Sequence, residues 1–235
     1  MTSSKEETLL AVADSKLVLG NWYSECVMNG RALPDFASML GMAGANYGHA
    51  RALYRHLVPP EGYDALERGR GPSEIASMEL LDRAPQDWED FIATTWLAEL
   101  ATWQMMAGFL NDDDRTVAGL ARRFGQEGYF HLRYCSGWLE VIGGDTQRAE
   151  RLQRHFKTRW PLATMWLSGD DHASAKEQHE AMVAEVAQGA EKLGLALPTE
   201  TAEVGKDWDG ARRRASVLPA GLFEVIKFKD QALAH

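Results

Sequence analysis

The sequence predicts an all-α protein built as a bundle of long helices, and three observations carry that expectation. Apolar residues recur at helical spacing over four long segments within the first 142 residues. Strand signals are missing: no run of alternating β-branched residues occurs, and Asn29-Gly30, the single Asn-Gly pair, follows a helical pattern instead of joining two such runs. The segments are matched in length, about 20 to 28 residues or roughly 30 to 40 Å, and short turns join most of them, the arrangement that packs helices side by side.

The elements follow in order. The first pattern runs from Lys5 to Asn29, with Leu9, Leu10, Ala13, Leu17, Trp22 and Val27 on one broad stripe. Gly30 stops it, and Pro34 opens the second at its first turn, where a missing N–H costs nothing. The second pattern ends at Leu57, before Pro59-Pro60. A polar segment, Glu61 to Pro85, reads as a loop with one short helix over Ser73 to Leu80. The third pattern spans Asp87 to Leu110, and Asp112-Asp113-Asp114 then supplies an N-cap for the fourth, Arg115 to Ile142, which stops at Gly143-Gly144. A fifth starts at Asp145 or Thr146, is interrupted near Pro161 and resumes over Leu162 to Leu167. A sixth covers Ala173 to Leu193 and ends at Gly194. The tail from Pro198 is expected to wrap the surface, with a short helix at Leu222 to Ala232.

No solenoid repeat and no linker between two complete cores is visible, so one domain is expected: a bundle over residues 1–200 and a C-terminal extension, 201–235, packed on it. The net charge of −9 disfavours a nucleic-acid partner, because phosphate contacts need a cationic face. The stretch Phe36 to Ala50 is too short and too polar to span a bilayer. The start, Met1 to Glu7, is polar, and Cys26 and Cys135 fit no metal or redox spacing, so a cytoplasmic protein with reduced thiols is expected.

Four polar residues sit at apolar-face positions, one on each of the first four helices: Glu25, His49, Glu99 and His131. Carboxylate-bridged di-iron bundles use an acid from each of two helices and a Glu-x-x-His motif from each of the other two. The order here is acid, x-x-His, acid, x-x-His, but position 46 is Asn and position 128 is Gly. At Ser24-Glu25, Asn46-Tyr-Gly-His49-Ala-Arg-Ala-Leu-Tyr54, Glu127-Gly-Tyr-Phe-His131-Leu-Arg133, Arg159-Trp160-Pro161, Ala190-Glu-Lys-Leu-Gly194 and Leu197-Pro198, the chain resembles the ferritin-like subunits of phenylacetyl-CoA epoxidase. The resemblance covers residues 15–200 and rests on the order of these motifs more than on any one.

That resemblance implies a ferritin-like bundle and membership of a multicomponent aromatic acyl-CoA monooxygenase, in which iron activates O2 and a separate reductase supplies electrons. The family pairs a catalytic subunit carrying a complete di-iron set with a structural subunit carrying a degraded one. Here the matches to terminal ligands, Glu25, His49, Glu99 and His131, are kept, while Asn46 and Gly128 occupy the positions of the lost bridging carboxylates. Glu127 is one residue off, about 100° around the helix. Two carboxylates under-neutralise two divalent ions in a low-dielectric core. One divalent ion, iron or manganese, suits the set; with no metal, Glu25 would pair with His49 and Glu99 with His131, because unpaired buried charge is costly.

Two functions stay open. One is a structural or accessory subunit, a homodimer or a hetero-oligomer with a homologous ferritin-like subunit. The other is a metal-dependent oxygenase with a mononuclear or altered di-metal site acting on an aromatic acyl-CoA. No residue is assigned a catalytic role, and no organic cofactor is expected. Asn46 can bridge a polar network as donor and acceptor. His56, His155, His172 and His179 are expected near exposed, charged faces, as is the run Arg212-Arg213-Arg214; an alternative use of that run is to meet an anion such as a CoA phosphate.

Overall fold

In the computed structural model the described residues are 5–168, 175–192, 194–196 and 205–227. Among them the chain forms eight α-helices and no strand. The helices are α1 (Lys5–Cys26), α2 (Leu33–Leu57), α3 (Tyr63–Arg68), α4 (Trp88–Ala107), α5 (Arg115–Gly143), α6 (Thr146–Leu167), α7 (Ala175–Lys192) and α8 (Ala220–Lys227). None of them is long and apolar enough to cross a membrane.

The chain divides into two compact units. The first holds α1 to α3 and the C-terminal segment with α8; the second holds α4 to α7. In the first, α1 and α2 lie along one another. Close approach is enforced at Gly20, where a Cβ would stand 3.0 Å from the Tyr47 ring. Helix α1 is buried on nearly all sides from Thr8 to Tyr23. Its buried Asp14 accepts from Tyr54 Oη at 2.7 Å, Arg70 Nη1 at 2.8 Å and the Ala76 amide at 2.7 Å. Burial, then the adjacent Asp14 charge, push the Tyr54 hydroxyl well above its usual range.

In the second unit α4 is the central helix, packed by α5, α6 and α7. Its start is fixed locally: Asp87 accepts from the Asp90 amide at 2.8 Å, and Asp90 accepts from the Gln86 amide at 3.0 Å. Asp90 is fully buried and forms a fork with Arg159 of α6, Nε to Oδ1 and Nη2 to Oδ2, both 2.8 Å. Burial alone pushes the Asp90 carboxyl up, and the Arg159 hydrogen bonds and charge override it and hold the group below its ordinary value. Helices α5 and α6 start on the expected aspartates, Asp114 and Asp145, and Gly194 takes the left-handed conformation, φ +65, just past α7.

Several expectations are corrected. The polar segment carries its short helix at Tyr63–Arg68, and 73–78 is non-helical, followed by a single 3₁₀ turn, Glu79–Leu81. Partners outside the segment explain this: the Ala76 amide goes to Asp14 and the Met78 amide to Ser15 Oγ. Helix α6 runs through Pro161 without interruption. Proline removes one backbone bond, and the burial of Arg159, Trp160, Ala163, Trp166 and Leu167 on both sides of it holds the helix together. His155 is half-buried, with Nε2 3.0 Å from Asp87 and Nδ1 3.7 Å from Asp90. The Arg212–Arg214 run is not a solvated face: Arg213 and Arg214 are fully buried, and Arg214 ion-pairs with Asp82. The C-terminal helix begins earlier than expected, at Ala220; its expected end at Ala232 lies outside the described residues, as do His172, Leu193, Leu197 and Pro198.

Candidate functional site

The residues singled out by the sequence fall into both units, and each unit has its own local arrangement. In the first unit, Glu25 lies one residue from the end of α1 and is exposed. This corrects its expected inner-face placement. Helix α1 gives way to a 3₁₀ turn at Val27, and the cover ends with it: Ser24 and Cys26 are half-buried and Met28 is 80% exposed. Ser24 Oγ lies 3.2 Å from Tyr47 Oη, which sets the register of α1 against α2 at this level.

On α2, Asn46 and His49 are buried one turn apart on the same face. The Asn46 amide nitrogen donates to the Met42 carbonyl of its own helix at 2.8 Å. A Glu at this position would offer two acceptor oxygens and no donor. Asn spends a donor on a backbone carbonyl within the same helix.

In the second unit, Glu99 of α4 and His131 of α5 are both buried, and His131 Nδ1 stands 2.9 Å from Glu99 Oε1. This is the Glu99–His131 pairing expected from the sequence. The contact fixes the ring: Nδ1 is turned to the carboxylate, so Nε2 is presented on the far side. A carboxylate behind a histidine fixes the direction in which its other nitrogen faces. Thr102 Oγ1, one turn on from Glu99, donates to the Ala98 carbonyl at 2.8 Å and so turns back onto its own helix.

Gly128 is buried one turn before His131, and a Cβ built there meets no atom within 4 Å. The glycine is therefore not required by a tight contact. Glu127 does not stand in for the missing acid: it lies along the outer side of α5 and pairs with Arg123 at 2.7 Å.

The resemblance implies acids at 46 and 128 in a carboxylate-bridged site. Here an amide is tied into its own helix at one position and a hydrogen atom stands at the other. Within neither unit do the described residues gather three or more His, Cys, Asp or Glu placed to hold a metal ion.

Sequence reasoning did not single out the buried charge clusters at Asp14–Arg70, Asp90–Arg159 and Asp82–Arg214. A signal existed for the first two. Asp14 interrupts the apolar run of α1, and Asp90 stands beside Phe91 and Ile92 on α4. Nothing near Arg214 announces its partner, which lies 132 residues away.

The model of the phenylacetic acid catabolic protein family matches residues 2–214. Among curated proteins the chain is similar to one of the subunits of the 1,2-phenylacetyl-CoA epoxidase of Escherichia coli (strain K12), with 21% identity over 207 residues, covering 82% of this chain and 84% of that protein. The all-α ferritin-like architecture and the extent of the match agree, and the chain belongs to the phenylacetic acid catabolic protein family.

Proposed function

We propose that this chain is a structural or accessory subunit of a multicomponent aromatic acyl-CoA monooxygenase, working beside a homologous ferritin-like subunit that carries the complete metal set. The observation that carries the reading is the pair of non-carboxylate residues, Asn46 and Gly128, each one helical turn before a buried histidine. Without acids there, the +4 of two divalent ions goes un-neutralised: Glu25 is exposed and Glu99 is bonded to His131. The likeness to a subunit of a phenylacetyl-CoA epoxidase supports the same placement.

The Glu99–His131 pair supports it from the other side. A buried histidine and carboxylate that bond one another satisfy their own burial and need no ion to do so. In this role the pair cross-links α4 to α5 and preserves the shape of the bundle where a catalytic homologue would hold metal.

Co-expression with neighbouring genes, affinity purification, native mass measurement and metal analysis test the proposal. The expected result is a complex with a homologous chain, with metal in that partner and little in this chain alone. A full equivalent of iron or manganese bound by this chain alone, lost in Glu99→Ala and His131→Ala, would replace the proposal with an oxygenase carrying a mononuclear or altered di-metal site.

A further inference from the structure

The C-terminal segment closes onto the first unit through polar groups from three stretches of chain. Residues 209–214 form a tight loop in which the Asp209 amide donates to the Arg214 carbonyl at 2.9 Å and the Asp209 carboxylate accepts from the Ala211 amide and Arg212 Nε. The loop holds Arg213 at φ +53, a left-handed conformation that arginine seldom adopts. It delivers Arg214, fully buried, to the 72–82 stretch: Nη1 donates to the Ser77 carbonyl at 3.0 Å and Nη2 to Asp82 Oδ2 at 2.5 Å. Glu79 then accepts from the Ser216 amide at 2.7 Å, and the Leu218 amide donates to the Pro72 carbonyl at 3.3 Å.

The 72–82 stretch has little backbone bonding of its own. Its Ala76 and Met78 amides go to Asp14 and Ser15, and its Leu81 carbonyl accepts from the Trp22 indole at 2.8 Å. It is held from α1 on one side and from 209–218 on the other.

We propose that residues 209–218 are a releasable clasp: when it opens, the 72–82 stretch loosens with it, and the polar groups of α1 that hold that stretch are uncovered. The closed form carries two costs that the open form does not. One is the left-handed Arg213. The other is Asp82 Oδ1, buried with no hydrogen-bond donor.

Asp82 also gives the clasp a direction with pH. Burial pushes its carboxyl up to about 6, against the opposing pull of Arg214, and Glu79 in the neighbouring 3₁₀ turn adds to the rise. On the α1 side Asp14, already held by Arg70, receives the Ala76 amide of the stretch. Opening returns Asp82 to water and to the ordinary value of 3.8, so a proton binds the closed clasp better than the open one. That contribution is complete below the ordinary carboxylate value and is lost as pH rises through the closed-state value. Acid therefore tightens the clasp and neutral pH loads it. Between about pH 7.5 and 5.5 the closed-to-open ratio rises roughly fourfold.

Hydrogen–deuterium exchange with mass spectrometry on the full chain, corrected for intrinsic rates, tests this at the two pH values. The expected result is that peptides of 72–82 and 209–218 exchange together, faster than α1, and slow by about fourfold at the lower pH. Asp82→Asn, which keeps an acceptor for Arg214, should remove the pH response. Arg214→Lys, which keeps the charge but not the fork, should speed both stretches together. Independent exchange of the two stretches, or a pH response that survives in Asp82→Asn, would overturn the proposal.

Discussion

At position 128 one missing side chain separates this protein from a complete Glu-x-x-His motif on α5. The geometry there is permissive, because a Cβ meets nothing within 4 Å and His131 lies one turn ahead on the same face. Position 46 stands in the same relation to His49 on α2, and a Glu there gives up the amide's hydrogen bond to the Met42 carbonyl. The double variant Asn46→Glu, Gly128→Glu should therefore fold and bind more Fe(II) or Mn(II) than the wild type. Helix propensity favours the second change by up to about 1 kcal/mol. Anaerobic titration followed by metal analysis compares the stoichiometries. A folded double variant with wild-type metal content would remove the account of these positions as lost bridges.

At the scale of the helix, the glycines divide by what surrounds them. Gly41, Gly44 and Gly48 lie on the exposed side of α2, and a Cβ at any of them meets nothing within 4 Å. Changing each to Ala should stabilise the isolated chain by up to about 1 kcal/mol, through reduced backbone freedom in the unfolded state. Gly125 and Gly189 behave oppositely. A Cβ at Gly125 would stand 2.7 Å from the Trp103 ring and one at Gly189 2.9 Å from Trp96, so each ring must move. Gly125→Ala and Gly189→Ala should each destabilise, by about 1 to 3 kcal/mol if the ring cannot shift freely. Urea unfolding of the five single variants checks the division. A uniform gain across all five would contradict it.

For the molecule as a whole, the dominant electrostatic feature is a buried carboxylate–guanidinium pair in each unit: Asp14 with Arg70, and Asp90 with Arg159. Removing one partner leaves a buried charge uncompensated, so Asp90→Ala or Arg159→Ala should cost about 3 to 5 kcal/mol. Replacing both by apolar residues of similar volume should cost less, and urea denaturation of the single and double variants measures the difference. The pH behaviour of the units differs in sign. Asp90 is held below its ordinary value, so its contribution is present above the unfolded carboxylate value and is lost as pH falls through the folded one. Asp82, pushed up to about 6, works the other way and strengthens its own unit as pH falls through that value toward the ordinary 3.8. Mild acid should therefore leave the chain folded and slightly favour the Asp82 region, while stronger acid removes the Asp90 contribution. Near-ultraviolet circular dichroism from about pH 7 to pH 3 follows both. Loss of tertiary signal already near pH 6 would contradict this assignment.

The helices were legible because their signals are local. An Asp placed one turn before an amide starts α4, α5 and α6, Pro34 opens α2, and Gly194 stops α7. Each of these acts within four residues, and each is visible in the sequence. The Glu99–His131 pair was legible for a related reason, since the apolar faces of α4 and α5 each carry a polar residue of complementary chemistry at that level. What the sequence could not decide depended on partners far along the chain. The 73–78 stretch gives its amides to Asp14 and Ser15 and so does not form a helix. Helix α6 continues through Pro161 because the residues around it are buried. Glu25 is exposed because the end of α1 is uncovered. Arg214 is buried because Ser77, 137 residues away, and Asp82 receive it. Caps and breakers spend their energy within one turn, so the sequence determines where helices begin and end. A buried charge is satisfied only where the fold brings its partner, so the fate of each polar group was decided by the tertiary structure.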